Sequence, residues 1–212
     1  LTGIENITGS THADTIYGDF DDNLLQGGNG DDYLFGDIGT DRIEGGENND
    51  TLGGGAGADV IVGGNGNDTV QYSDFYTDTV GVQVNLGSGA LGVGGEAEGD
   101  SLAFIENATG SVYADVITGS VEVNVLSGND GDDVLAGLAG GDTLNGGQGE
   151  DTANYSASNA AVTIVLAANA ASGGHADGDI LISIENLTGS AFADTLIGDT
   201  LNNVLSGGDL GD

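Results

Sequence analysis

The sequence contains no cysteine, proline, methionine, tryptophan or lysine, and Arg42 is its only arginine. The absence of cysteine excludes disulfide bonds, thiolate metal sites and a cysteine nucleophile. With 35 acidic residues the net charge is -34, so the chain lacks the basic surface that nucleic-acid binding requires. No run of about 18 apolar residues occurs, and we therefore expect no membrane span.

The chain is instead rich in glycine and in acidic residues. Glycine accounts for 42 of 212 residues, while 38% of the residues are hydrophobic. A chain this acidic repels itself and resists compaction. It therefore either stays disordered or folds by taking up cations.

A nine-residue repeat organises most of the chain. Its first position is glycine, its sixth is Asp or Asn, and its eighth is almost always aliphatic, as in GGNGDDYLF and GGAGADVIV. Seven copies run from Gly9 to Gln71 and five from Gly110 to Asn154; two more start at Gly189, followed by a truncated copy. An aliphatic residue at a fixed offset predicts packing into a core, which a solvated acidic linker would not need.

A longer repeat indicates the size of the structural coil. The motifs IENITGS, IENATGS and IENLTGS begin at Ile4, Ile105 and Ile184 and open the three arrays, 101 and 79 residues apart. Of the 22-residue difference, 18 residues come from two additional nonapeptides in the first array. The coil is therefore predicted to contain two nonapeptides, each with a six-residue turn and a three-residue strand.

Stacked coils of this kind would form parallel strands with a thin core. One inner face is predicted to hold Ile16, Leu34, Leu52 and Val70, and the other Leu25, Ile43 and Ile61. Stacking also brings sixth-position carboxylates together, which is unfavourable unless a cation lies between them. Ca²⁺ accepts six to eight oxygen ligands, including main-chain carbonyls, and suits such a turn better than Mg²⁺.

These units resemble a known family. GGNGDDYLF, GGAGADVIV, GGNGNDTVQ and GGQGEDTAN are similar to the repeats-in-toxin (RTX, hemolysin-type) calcium-binding nonapeptide. The resemblance implies an all-β, right-handed parallel β-roll (β-solenoid) with two nonapeptides per 18-residue coil and calcium ions in the turns. Each ion would lie between turns i and i+2. The first turn would supply the carbonyls of positions two and four and its Asp, and the second the carbonyls of positions one and three and its Asp.

Carried onto this sequence, the resemblance implies up to about nine Ca²⁺ ions. The implied ligands in the first array are Gly28, Gly30, Asp32, Asp37, Gly39, Asp41, Gly45, Gly46, Glu47, Asn48, Asp50, Gly54, Ala56, Asp59, Gly63, Asn65 and Asp68. Those in the second array are Asn129, Gly131, Asp133, Gly137, Ala139, Asp142, Gly146, Gln148 and Asp151.

A second group of candidate ligands departs from the motif. The first turn of each array has a bulky fourth residue, and the second turn has Asn at its sixth position. These turns contain Asp14, Asn23, Asp115, Asn124, Asp194 and Asn203. Asp100 and Asp179 lie in the nonamer-like loops GGEAEGD and GGHADGD, and Asp212 ends the truncated unit.

The predicted organisation alternates arrays with linking segments. The boundaries are an array-opening strand at 1–8, arrays at 9–71, 110–154 and 189–212, and wider linking coils at 72–109 and 155–188. Each linking segment is predicted to contain one longer alternating strand. The shared faces are Val80, Val82, Val84 and Leu86 in the first, and Val162, Ile164 and Leu166 in the second.

The resemblance implies a non-catalytic calcium-binding segment of a large secreted or cell-surface bacterial protein, such as an adhesin, a surface-layer protein or an exoprotein. Such proteins leave the cell by type I secretion, and the segment would fold on extracellular calcium. Its expected partners are calcium, the remainder of the parent polypeptide, and glycans or neighbouring protomers at the cell surface.

Two other classes of function are weighed against this one. An enzyme acting on polysaccharides needs a base and a cationic stabiliser, for which one arginine and two isolated histidines, His12 and His175, offer little. An accessory module of such an exoenzyme remains an alternative. An ice- or glycan-binding surface would rely on outward residues such as Tyr17, Tyr33 and Phe35.

Overall fold

The computed structural model describes residues 3–72, 79–87 and 89–208. The chain forms two compact units, Leu1–Gly110 and Ser111–Asp212. Over the described residues the structure is all-β, and its helical elements are three single 3-10 turns at Gly95–Ala97, Leu166–Ala168 and Gly174–Ala176. The predicted ligand Asp212 lies outside the described residues.

The first unit stacks ten of its eleven strands in two parallel sheets. Its strands are β1 Asn6–Thr8, β2 Thr15–Tyr17, β3 Leu24–Asn29, β4 Tyr33–Ile38, β5 Arg42–Glu47, β6 Thr51–Ala56, β7 Val60–Asn65, β8 Thr69–Gln71, β9 Gln83–Asn85, β10 Ser101–Ala103 and β11 Asn107–Thr109. One sheet has the order β1-β3-β5-β7-β10 and the other contains β2-β4-β6-β8-β11. Within the array, alternate strands pair with a constant offset of 18 residues, as Leu25 does with Ile43. The predicted coil of two nonapeptides is confirmed.

The eighth-position side chains form the core of this unit. Ile16, Leu34, Leu52 and Val70 follow one another in register along one sheet, and Leu25, Ile43 and Ile61 along the other. All seven are buried. Both predicted inner faces are confirmed, and each buried aliphatic side chain contributes about 1.5–3 kcal/mol.

The strands inside the array are longer than predicted. Five of them, β3 to β7, have six residues and continue through the first three positions of the next nonapeptide. The glycines there have no side chains, so neighbouring coils keep their main-chain ladder, as Gly28, Gly46 and Gly64 do in register. The turn is therefore shorter than the composition suggested, and it brings main-chain oxygens close to the turn carboxylates.

The second unit repeats this arrangement. Its strands are β12 Val116–Thr118, β13 Val125–Asp130, β14 Val134–Ala136, β15 Thr143–Gln148, β16 Thr152–Asn154, β17 Thr163–Val165, β18 Ala170–Ser172, β19 Ile180–Ile182, β20 Asn186–Thr188, β21 Thr195–Ile197 and β22 Leu205–Ser206. Parallel pairing gives the series β13-β15-β19, β12-β14-β16-β20-β22 and β17-β21, while β18 pairs with β17 antiparallel. Leu126, Leu135 and Leu144 are fully buried in its core.

After each linking segment the chain returns to the sheet in register. In the first unit β10 pairs with β7, and in the second β19 pairs with β15. The predicted longer strands are wrong in length, because β9 and β17 have three residues each. Their central positions are buried, but Val80 is 55% exposed and Leu166 begins a 3-10 turn.

Candidate metal centres

The sixth-position aspartates form a ladder along each stack of turns. One carboxylate oxygen, Oδ1, accepts a hydrogen bond from the main-chain N–H of the sixth residue 18 positions earlier. Asp50 Oδ1 accepts from Asp32 N at 2.8 Å, and Asp68 Oδ1 accepts from Asp50 N at 2.8 Å. In the second unit Asp151 Oδ1 accepts from Asp133 N at 2.9 Å. One oxygen of each carboxylate is therefore fixed by the preceding coil.

The other oxygen, Oδ2, is buried without a hydrogen-bond partner in a defined set of turns. Within the described residues of the arrays this set is Asp32, Asp41, Asp50, Asp59, Asp68, Asp133, Asp142 and Asp151. A buried carboxylate oxygen without a donor or counter-charge is strongly unfavourable. The same atom is left without a partner in turn after turn, which indicates a ligand that the polypeptide does not supply.

A second oxygen faces six of these atoms across a first-position glycine, in the turns of Asp32, Asp41, Asp50, Asp68, Asp133 and Asp151. A Cβ placed on Gly27 would lie within 3 Å of both Asp32 Oδ2 and the carbonyl oxygen of Gly45 in the next coil. A Cβ on Gly128 would meet Asp133 Oδ2 and the carbonyl oxygen of Gly146 in the same way. Two oxygens therefore converge on a space that exists because the residue is glycine.

The backbone of the same turns is left-handed at the second position and, except at Gly66 in the Asp68 turn, also at the fourth. Gly28 and Gly30 have φ of 108° and 122°, and Asp37 and Gly39 have φ of 84° and 148°. Non-glycine residues rarely adopt this conformation, so its adoption by Asp37 shows that the turn geometry overrides local preference. The third-position carbonyl of Glu47 accepts from Gly30 N at 3.2 Å and keeps one lone pair.

The carboxylate and carbonyl oxygens of these turns suit calcium as ligands. Within the described residues no group of three or more His, Cys, Asp or Glu side chains gathers around one point. Main-chain oxygens must therefore complete any site. Such a set, with two carboxylates and several carbonyls, matches the oxygen coordination of Ca²⁺ rather than the nitrogen and sulfur ligands of zinc.

The first two turns of each array are built differently. Their sixth-position oxygen accepts a hydrogen bond from the second-position N–H of its own turn. The acceptors are Asp14, Asn23, Asp115, Asn124, Asp194 and Asn203, at 2.5–2.8 Å. None of their second and fourth residues has a positive φ. An oxygen of each of these six candidate ligands thus accepts a hydrogen bond from its own turn, unlike Oδ2 of the eight aspartates above.

Asp100 and Asp179 join the ladder although they lie outside the arrays. Asp100 Oδ1 accepts from Asp59 N at 2.9 Å, and Asp179 Oδ1 accepts from Asp142 N at 2.8 Å. The linking loops thus take the place of a nonapeptide turn. In both loops a buried tyrosine faces the carboxyl: Tyr155 donates its hydroxyl to Asp179 Oδ2 at 2.8 Å, and Tyr72 is the side-chain hydrogen-bond partner of Asp100.

Two glutamates missed by the sequence analysis also continue the ladder. Glu106 Oε2 accepts from Asp68 N at 2.8 Å, and Glu185 Oε2 accepts from Asp151 N at 3.0 Å. A signal was available, because Glu106 and Glu185 precede the glycine of TGS by four residues, as a sixth-position aspartate precedes the next first-position glycine. The IEN motif is therefore a turn unit with glutamate in place of aspartate.

Burial without a counter-charge raises the pKa values of several of the turn aspartates. It raises the pKa of Asp41 and Asp50 to about 6, of Asp59 and Asp133 to about 7, and of Asp100 to about 8. Neighbouring acids add to the effect. In the absence of metal, the fold thus holds protons that an unfolded chain, with an aspartate pKa near 4, releases.

We expect the calcium-free fold to lose stability as pH rises. Because the pKa values are raised in the fold, the stabilisation is complete below about pH 4 and is lost as pH rises through about 6 to 8. Circular dichroism of the calcium-stripped chain should show more β structure at pH 5 than at pH 8. The difference should persist in 0.5 M NaCl, which screens exposed charges but not buried ones. Equal β content at both pH values would contradict this expectation.

Arg42 and the aromatic residues Tyr17 and Phe35 lie in strands, apart from the turns. Arg42 pairs with Glu44 on the surface of a sheet. Tyr17 is 51% exposed, but Phe35 is buried against Gly53, so the predicted row of outward aromatics is interrupted. No helix among the described residues is long and apolar enough to cross a membrane.

The fold and the turns define a class: a parallel β-roll whose stacked turns present oxygen ligands for calcium. Comparison with protein families matches residues 8–43, 35–70, 118–153 and 185–209 to the RTX calcium-binding nonapeptide repeat, in four copies. These segments cover more than half of the chain, which therefore belongs to this family of calcium-binding structural repeats. A search of curated proteins finds no match.

Proposed function

We propose that the chain is a non-catalytic segment of a larger secreted or cell-surface bacterial protein, and that its coils fold on extracellular calcium. The observation that carries the proposal is the set of eight buried array aspartates whose Oδ2 atoms have no hydrogen-bond partner. A fold that buries these charges is poorly stable without a cation. Binding energy then becomes folding energy, as in other metal-dependent modules.

The proposed ligands follow the turns that have left-handed second and fourth positions. In one interior site we assign the carbonyls of Gly28, Gly30, Gly45 and Glu47 with the carboxylates of Asp32 and Asp50. The equivalent sites take Asp37, Gly39, Asp41, Gly54, Ala56 and Asp59; Gly46, Asn48, Asp50, Gly63, Asn65 and Asp68; and Asn129, Gly131, Asp133, Gly146, Gln148 and Asp151. The contrast in hydrogen bonding supports leaving the first two turns of each array without calcium.

Charge supports a role outside the cell. Each ion adds two positive charges, so the four ions assigned here would change the net charge from -34 to -26. At the low calcium concentration of the cytosol the chain would stay extended by self-repulsion and fit for export by type I secretion. Outside, calcium would neutralise the turns and allow the coils to stack.

A calcium titration followed by far-UV circular dichroism tests the proposal. At pH 8 we expect a cooperative coil-to-β transition near the ~0.1–1 mM range of extracellular calcium modules. Mg²⁺ at the same concentrations should not produce it, because Mg²⁺ requires stricter octahedral geometry. Full β structure in excess chelator at pH 8 would overturn the proposal.

A further inference from the structure

The last turn of each of the first two arrays lacks the partner turn that an interior site has. In an interior site the partner of each turn is the turn two nonapeptides later. Asp68 and Asp151 lie in the last turn of their arrays, so no such nonapeptide follows either of them. Yet both are fully buried, and both have an Oδ2 atom without a partner.

The polypeptide that returns after the first linking segment rebuilds the missing turn at Asp68. A Cβ on Gly63 would lie within 3 Å of Asp68 Oδ2 and the carbonyl oxygen of Phe104. The Phe104 carbonyl thus takes the place that Gly45 O has beside Asp32. Glu106 takes the place of Asp50, since its Oε2 accepts from Asp68 N at 2.8 Å.

The second unit contains the same arrangement. A Cβ on Gly146 would meet Asp151 Oδ2 and the carbonyl oxygen of Ser183, while Glu185 Oε2 accepts from Asp151 N at 3.0 Å. Ser183 and Phe104 also share a left-handed backbone, with φ of 49° and 55°. Two units with linking segments of different length have therefore built the same group of oxygens.

We propose that each of these groups binds a further Ca²⁺ ion. Asp68, the Phe104 carbonyl and Glu106 would hold one ion, and Asp151, the Ser183 carbonyl and Glu185 the other. This inference rests on the proposed calcium-dependent folding and extends it beyond the nonapeptides. The glutamate of the IEN motif thereby closes the column of calcium ions of one array at the point where the next array opens.

The stoichiometry of calcium binding tests the inference on the full chain. By equilibrium dialysis, Glu106→Gln should lose one bound ion per chain, and Glu106→Gln with Glu185→Gln should lose two. Glu5→Gln is the matched control, because Glu5 belongs to the same motif but is exposed. It makes the same charge change and should lose no ion. An unchanged stoichiometry in the folded double variant would overturn the inference.

A crystallographic measurement avoids dependence on variant folding. Anomalous diffraction from crystals of the unaltered chain grown in calcium should show a peak beside Asp68 Oδ2 and another beside Asp151 Oδ2, each on the glutamate side. Peaks in the interior turns but at neither of these places would refute the inference alone. Failure of calcium to induce folding at all would refute the proposed function.

Discussion

Replacing Gly45 by alanine will eliminate one bound calcium ion and lower the melting temperature in saturating calcium by about 5–15 °C. The added Cβ would lie within 3 Å of Asp50 Oδ2, Asp50 Cβ and the carbonyl oxygen of Gly63. It would fill the space on which the two oxygens converge, while the Gly45 carbonyl itself is retained. Overpacking of this kind costs about 1–3 kcal/mol, and 1 kcal/mol shifts the melting temperature of a unit of about this size by ~4–8 °C.

The matched control is Gly141→Ala, in the fifth position of an exposed turn. A Cβ there would meet its nearest neighbour at 3.4 Å, which is ordinary contact, and Gly141 has no positive φ. It should keep the full number of ions and the full melting temperature. An equal number of bound ions and an equal melting temperature in the two variants would show that the space beside Asp50 holds no ion. The midpoint of a calcium titration is less sensitive to this substitution. Because many ions bind together, the free-energy change caused by the loss of one ion is divided among all of them.

The coil, the core and the position of the turns could be predicted from the sequence because they depend on period alone. An aliphatic residue every nine positions and a pairwise gain of nonapeptides were enough to place Leu25 against Ile43. The extension of the strands could not be foreseen. Glycine has weak strand preference by itself, and its ladder forms here only because Gly28 and Gly46 lie in neighbouring coils.

The division of the turns into two kinds could be predicted only partly from the sequence. The bulky His12 and Tyr113 marked the first turns as unusual. What separates them physically is whether an N–H of the same turn reaches the sixth-position oxygen, as Ser10 N does at Asp14. That depends on the backbone of the second position, which a motif does not specify. The glutamates of the IEN motif were not predicted, because the nonapeptide motif has Asp or Asn at its sixth position.

Asp50→Asn should have opposite effects on stability with and without calcium. Asp50 occupies the middle of the first array, and its carboxylate is proposed for two sites, one with Asp32 and one with Asp68. Asparagine keeps an oxygen that can accept from Asp32 N but removes the charge. In saturating calcium we expect the loss of two ions. At 100 times the dissociation constant each ion contributes about 2.7 kcal/mol, so the loss is about 5 kcal/mol.

Without calcium the effect of Asp50→Asn on stability changes sign, because the buried Asp50 carboxylate is then unfavourable. Burial raises the pKa of Asp50 to about 6, so at pH 8 the metal-free fold carries an unfavourable charge that asparagine lacks. Calcium-stripped Asp50→Asn should therefore have at least as much β structure as the unaltered chain. Asp31→Asn is the control, since exposed Asp31 accepts from Asn49 N at 3.0 Å and asparagine can do the same. A variant that is destabilised equally at every calcium concentration would show that Asp50 is structural rather than a calcium ligand.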